Sequence, residues 1–268
     1  MKTLGIGGFG KAKLTTYNGK KAVVKYINII GNPSATLATC TINRNYASEE
    51  GEVMKKLSQK EHIAEIYEVK GHAIYMKYYE DGSLRDVIDH KLPSLLNKYG
   101  IASNIVDGLS EIHNLNFVHS DLKASNILIE HNSIGTYFAV ISDFGAARLR
   151  GTKAIAYISG FNPPEIHSKP LDFSTDIYSL GKLFIELFTR KKDVGDINYD
   201  NYFWKVEKIY FSIDGEVRIL NSDDFYYLVR ECLNVVPDKR PTLSQIKRFL
   251  KNEMEFEFVW FKKLIIIY

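Results

Sequence analysis

The stretch Val118 to Leu128, VHSDLKASNIL, constrains this chain more than any other. It sets a carboxylate, an ammonium and a carboxamide in one short connection between an amphipathic helical run and the apolar run Ile127 to Ile129. Polar groups so placed must face a cleft, because burying them without partners is costly. Asp121 can accept a proton from a hydroxyl, Lys123 can neutralise charge on a transferred anion, and Asn126 can offer its amide oxygen to a hard cation such as Mg²⁺. Those three roles together describe phosphoryl transfer. A polar turn in which Asp121 and Asn126 bond only backbone groups is the competing reading, and the rest of the chain decides between them.

The 268 residues suffice for one large domain or two lobes. Lys and Arg outnumber Asp and Glu by only 35 to 32, so the net charge of +3 gives no argument for nucleic acid or an anionic membrane as principal partner. Cys40 and Cys232 lie far apart without metal-ligand spacing, which suits a reducing cytosol. The opening MKTLGIGG has no signal-peptide character. Phe256 to Tyr268 is apolar and aromatic, but Glu257, Lys262 and Lys263 interrupt it, and no transmembrane segment is expected.

Gly5-Ile6-Gly7-Gly8-Phe9-Gly10 is followed by a strand-like run, by Asn18-Gly19, and by a second strand-like run, Lys20 to Ile27. Asn-Gly between two such runs signals a hairpin. Glycines 5, 7 and 10 let backbone N–H groups approach phosphates. A dinucleotide-binding fold would need these glycines to open a helix, and a strand follows instead. Lys25 stands in the apolar run AVVK and needs a partner for its ammonium. Asn28 to Tyr46, with Gly31-Asn32-Pro33-Ser34, reads as a solvated loop. Ala73 to Tyr78 is strand-like and Glu80 to Leu84 carries turn chemistry. Leu95, Tyr99, Ala102, Ile105, Val106, Leu109 and Ile112 fall on one helix face. His119 reads as a packed, hydrogen-bonded scaffold residue. The apolar run Ala139 to Ser142 ends in Asp143-Phe144-Gly145, a carboxylate at a strand end that suits a metal site. Arg148, Arg150 and Lys153 read as a solvated charge run, and Ser174 to Phe188 as a helix buried on nearly all sides.

Taken in order, from Gly5 to about Leu250, these motifs resemble those of eukaryotic-type protein kinases. The resemblance implies a bilobal α+β fold. Residues 1–78 would form a small β-rich N-lobe with one main helix, 79–252 a larger, mainly helical C-lobe, and 253–268 a hydrophobic tail. It further implies that Gly5, Gly7, Gly8, Phe9 and Gly10 cover the phosphates of ATP. Lys25 would contact those phosphates and pair with Glu50, with Glu49 and Glu52 near enough to leave that partner open. Met76 would stand behind the nucleotide, and the backbone of Lys77 to Tyr79 would meet the adenine edge. Asp121 would be the catalytic carboxylate, Lys123 its basic companion, and Asn126 and Asp143 the Mg²⁺ ligands. Asp176 would brace the catalytic-loop backbone, and Arg240 would pair with Glu165.

Three positions depart from the family pattern. Ser120 stands where an arginine usually precedes the segment's companion residues, Pro163 replaces an alanine, and Ile158 occupies the place of a threonine, with Ser159 one residue away. The implied activity is ATP- and Mg²⁺-dependent phosphorylation of protein substrates. The position of Lys123, two residues after Asp121, favours serine and threonine hydroxyls. Two alternatives are a small-molecule phosphotransferase of the aminoglycoside type and a pseudokinase acting as a binding module. Phe144-Gly145, Pro164-Glu165, Asp176 and Arg240 as a set speak against the first, and the presence of every Mg²⁺ and phosphate residue against the second. The tail, with Phe256, Phe258, Trp260 and Phe261, is expected to pack on the C-lobe or to serve a partner. The expected compartment is the cytoplasm, or a host's cytoplasm if the chain is a microbial or viral effector.

Overall fold

The computed structural model describes residues 2–7, 10–27, 53, 55–57, 59–91, 93–154, 161–189, 209–213, 216–220 and 222–251. Five strands, β1 (Thr3–Gly7), β2 (Gly10–Tyr17), β3 (Lys20–Ile27), β4 (Ile66–Lys70) and β5 (Ala73–Lys77), form one antiparallel sheet in the order β1-β2-β3-β5-β4. Asn18 and Gly19 both take positive φ at the β2–β3 turn, which asparagine and glycine tolerate best. The two-residue period then sorts β3 by face. Val23 pairs with Met76 and Lys25 with Ile74 on one side, while Ala22 and Val24 point to the other.

Helices dominate the remainder. α1 (Leu84–His90) opens on a Ser83–Asp86 capping box. α2 (Leu95–Asn114) buries Ala102, Ile105, Val106, Leu109 and Ile112 of the expected stripe together with Ile101, which that stripe did not include, and leaves Tyr99 half-buried. α3 (Phe173–Thr189) is buried around nearly its whole circumference. α4 (Ser222–Cys232) and α5 (Leu243–Leu250), the latter with a Thr242–Gln245 capping box, follow it. Phe225 of α4 meets Tyr99, Phe184, Phe188 and Phe249, its ring centroid 4.3 Å from that of Phe188. Burying such side chains stabilises the fold by roughly 1.5–3 kcal/mol each. The hairpin β10 (Ile209–Ile213) and β11 (Glu216–Leu220) was not foreseen, although Asp214-Gly215 between two β-branched runs is a hairpin signal.

Between the sheet and the helices the short pairs β6 (Phe117–Val118) with β9 (Arg148–Leu149), and β7 (Ile127–His131) with β8 (Tyr137–Ile141), carry the connection on which the sequence reading centred. The chain leading into β4 is tied to them, since Ile141 N–H donates to His62 O at 2.8 Å and Ala64 N–H to Ile141 O at 2.9 Å. Arg85 of α1 reaches the buried Glu186 of α3. The apolar core is continuous from Leu57, Ile74 and Met76 through Ile127 and Ile141 to Phe184 and Leu228. Among the described residues no helix is long and apolar enough to cross a membrane. The expected loop at 28–46 and tail at 253–268 lie outside the described residues.

Gly108 is where α2 admits the His62 backbone. A Cβ there would lie 2.6 Å from His62 O. Overpacking of this kind costs about 1–3 kcal/mol against a helix-propensity gain of about 1 kcal/mol. Gly108→Ala is therefore expected to lower the urea midpoint with an unchanged m-value. An unmoved midpoint would mean that the 60–65 segment yields without cost.

Candidate active site

β6 delivers the chain to His119 at the foot of the core, and a 3₁₀ turn, Ala124–Asn126, returns it to β7. The loop between carries its own backbone demand. Ser120 adopts φ +64°, a conformation most L-residues avoid. Asp176, in the first turn of α3 and fully buried, meets that demand: its Oδ2 accepts His119 N–H at 2.8 Å and its Oδ1 accepts Ser120 N–H at 2.9 Å. The bracing expected of Asp176 is thus seen directly. His113 adds a bond that was not foreseen, with Nε2 2.8 Å from Asp176 Oδ2.

His119 is fully buried and both its ring nitrogens are engaged. Nδ1 accepts Asp121 N–H at 3.2 Å, so Nε2 carries the proton and donates to Ser142 O at 3.1 Å. This is a scaffold histidine, as its sequence context suggested. Phe144 packs edge-on against it and is itself buried.

Asp121 is 4% exposed. Asn126 Nδ2 donates to Asp121 Oδ2 at 2.9 Å and to Asp121 O at 2.8 Å. Lys123 Nζ lies 3.0 Å from both carboxylate oxygens but meets hydrogen-bond geometry only at Oδ2. Asp121 Oδ1 is therefore buried without a hydrogen-bond donor among the described residues. Burial pushes the Asp121 carboxyl above its usual range. Lys123 opposes that rise and Asp143 adds to it.

Asp143 follows β8 with φ +62°. Ser142 N–H and Oγ both donate to Asn126 O, at 2.8 and 2.9 Å, which brings Asp143 beside the 3₁₀ turn. Lys25 Nζ reaches Asp143 Oδ1 at 2.8 Å, joining β3 to the far side of the cleft. Burial disfavours the Asp143 charge, but the Lys25 ammonium outweighs it and holds the carboxyl below the usual carboxylate range. Lys25, Asp121, Lys123, Asn126 and Asp143 thus converge. Gly5, Gly7 and Gly10 belong to the β1–β2 hairpin, and Gly5 looks onto open space.

At the crossing between sheet and helices, Met76 is buried and Lys77 N–H donates to Glu65 O at 3.0 Å. Tyr79 is buried, its hydroxyl accepts Glu65 N–H at 3.0 Å, and its carbonyl accepts Gly82 N–H at 3.1 Å. Three salt-bridge contacts here escaped the sequence reading: Lys77 with Glu130, 2.8 Å, and the buried Asp81 with Lys91 and with His131, the last at 2.6 Å. Gly8, Phe9, Glu49, Glu50, Glu52, Ile158 and Ser159 lie outside the described residues. On the helical side, Arg240 holds Glu165 through two bonds, 2.5 and 2.8 Å, as the family resemblance implied.

Residues 1–250 match the family model of the protein kinase domain. The chain belongs to the protein kinase family. Its architecture, an antiparallel five-stranded sheet followed by a mainly helical part, is the bilobal α+β kinase fold. Kinases are phosphotransferases, and the family implies a nucleoside triphosphate donor with a divalent metal. The residues present fit such a metal: the atoms on offer are the second Asp143 oxygen and the Asn126 amide oxygen, both hard ligands. Among the described residues no three His, Cys, Asp or Glu side chains form a cage, and an ion held largely by phosphates needs none.

Asp81 anchors the turn between β5 and α1. Burial raises its carboxyl, and the bonds and charges of Lys91 and His131 more than offset that, so it titrates below its ordinary value. A depressed folded-state value contributes stability above the unfolded value of about 3.9, and that contribution is lost as pH falls through the folded value. The urea-midpoint gap between the wild-type kinase and Asp81→Asn is expected to be widest near neutrality and to close below about pH 4. A gap that persists at the acid end would exclude Asp81 ionisation as its source.

Proposed function

We propose that this kinase transfers the γ-phosphoryl group of ATP, with Mg²⁺, to serine and threonine hydroxyls of protein substrates. The observation that carries this reading is the Asp121 carboxylate, buried, fixed by Asn126 and Lys123, with Oδ1 unclaimed by any donor among the described residues. Such an oxygen is a poised acceptor for a hydroxyl proton.

In the proposed reaction Asp121 Oδ1 takes the proton of the substrate hydroxyl as its oxygen bonds to phosphorus and the bond to the departing ADP breaks. Lys123, partly exposed at Asp121, balances the charge of the transferred group. Lys25 exchanges part of its contact with Asp143 for phosphate oxygens, and the backbone of the Gly5–Gly10 hairpin covers them. Asn126 and Asp143 would hold Mg²⁺, which supplies charge neutralisation on the phosphates when bound. Met76 and the Lys77–Tyr79 backbone would border the adenine. The lobe division at residue 78 and the role of Glu50 as the Lys25 partner belong to the same proposal.

The test is ATP- and Mg²⁺-dependent phosphate transfer to a generic protein substrate by the intact chain and by Asp121→Asn. Losing a general base costs about 10²–10⁴ in rate. A loss of that size is expected, with phosphoserine or phosphothreonine as product. Transfer to an aminoglycoside in place of protein, or ATP binding without transfer, would sink the reading.

Ser120 bears on regulation. Its hydroxyl turns back to Val118 O at 3.4 Å and offers no cation beside Asp121. A phosphate added to the activation segment would find no counter-charge at that position. Equal initial rates are expected for phosphatase-treated and untreated enzyme, and a large loss on treatment would contradict this.

A further inference from the structure

The net charge of +3 conceals an asymmetry. From Lys2 to Ser48 the sequence carries seven basic residues and no aspartate or glutamate. Strand register shows where part of that charge goes. Ile6, Lys11, Tyr26, Ala73 and Lys70 stand in one row across all five strands of the N-terminal sheet. Lys13 belongs to the next row, opposite Val24, and so to the same face. Ile6 is 74% exposed and Tyr26 38%, and Lys13 Nζ lies 5.5 Å from the Tyr26 ring centroid. Among the described residues Lys11, Lys13 and Lys70 form no ion pair. The one acid in register on this face, Glu68, is engaged with Tyr17.

Alternation puts Ala12, Lys25 and Ile74 on the opposite face, toward the active site. The cationic row is thus the back of the sheet. It runs four strand spacings, about 19 Å, and combines lysines that form no ion pair among the described residues with a protruding isoleucine and a partly exposed tyrosine.

We propose that this outer face docks the kinase on an anionic lipid surface, with the cleft turned away from the bilayer. Lysines near such a surface and an amphipathic tyrosine at headgroup level are what it rewards. A single-stranded nucleic acid fits less well, because it needs open aromatic faces. Tyr26 is covered by Lys13, and Tyr17 and Tyr67 stack on each other at 5.4 Å. An acidic peptide would seek a groove or a strand edge, and this row crosses the middle of a sheet. The proposal is independent of which hydroxyl the kinase phosphorylates.

The test is sedimentation of the full chain with vesicles of phosphatidylcholine alone and of phosphatidylcholine mixed with phosphatidylserine. Binding is expected only to the mixed vesicles and should fall as salt rises. Each lysine is worth about fivefold in partition, so Lys13→Gln with Lys70→Gln should weaken binding about thirtyfold at an unchanged urea midpoint. Failure to bind the mixed vesicles, equal binding to both kinds, or unchanged binding by the double variant would each overturn the proposal. Binding of a single-stranded oligonucleotide that the double variant loses, without vesicle binding, would overturn it in favour of nucleic acid.

Discussion

The buried carboxylate of Asp176 is the constraint on which the rest of the site depends. It lies in the first turn of α3, where an acidic side chain also complements the helix dipole, and it accepts two successive backbone N–H groups of the catalytic loop together with the His113 ring. Without those acceptors the N–H groups of His119 and Ser120 would be buried and unpaired, at about 1–3 kcal/mol each. The left-handed backbone at Ser120 would lose its support as well, in a region where strain of about 1–3 kcal/mol per residue is usual. Everything downstream is referenced to that anchor. His119 is set by it, His119 orients the Asp121 N–H and the Ser142 carbonyl, and Ser142 fixes the strand end from which Asp143 projects.

Two carboxylates that share one cleft are driven apart in their titration. Both pay for burial. Asp143 has Lys25 at 2.8 Å and stays ionised, whereas Asp121 is pushed up because its own lysine only partly offsets burial and the field of Asp143. In the proposed reaction this division suits a metal ligand, which must remain an anion, and a base, which must be able to take a proton. The difference comes from where the two lysines stand. Lys25 is held in a strand among apolar neighbours, and Lys123 is more exposed.

Local pattern carried much of this fold. Asn18-Gly19 marked the β2–β3 turn, the helical stripe is buried as spaced from Ala102 to Ile112, and the apolar circumference of α3 matched its central position. Long-range pairings were another matter. Glu165 with Arg240 came from motif order in the family, since nothing in either segment's periodicity links residues 75 apart. Lys77 with Glu130 and His131 with Asp81 carried no such motif and were invisible, because each partner is an unremarkable polar residue in its own window, and His113 was equally unmarked although its partner Asp176 was expected to brace the loop. The same limit explains the charge row on the outer sheet face. Composition averages over it, and only the register of five strands brings Lys11 and Lys70 into line.

The serine at position 120 also makes sense of an interaction further out. Arg150, just beyond β9, pairs with Asp172 at 2.7 Å and lays its guanidinium 4.7 Å from the Phe173 ring centroid. The same ring stacks with His113 at 4.3 Å, and His113 bonds Asp176. A chain of contacts therefore joins the end of β9 to Asp176 without passing through the Ser120 side chain. An exposed pair such as Arg150–Asp172 contributes little alone, about 0–1 kcal/mol. It gains a second contact from the Phe173 ring, which also stacks on the half-buried His113. With serine at 120 the cation that meets Asp121 is Lys123, and the Arg150 guanidinium lies instead at Asp172, stacked on the ring that packs against His113.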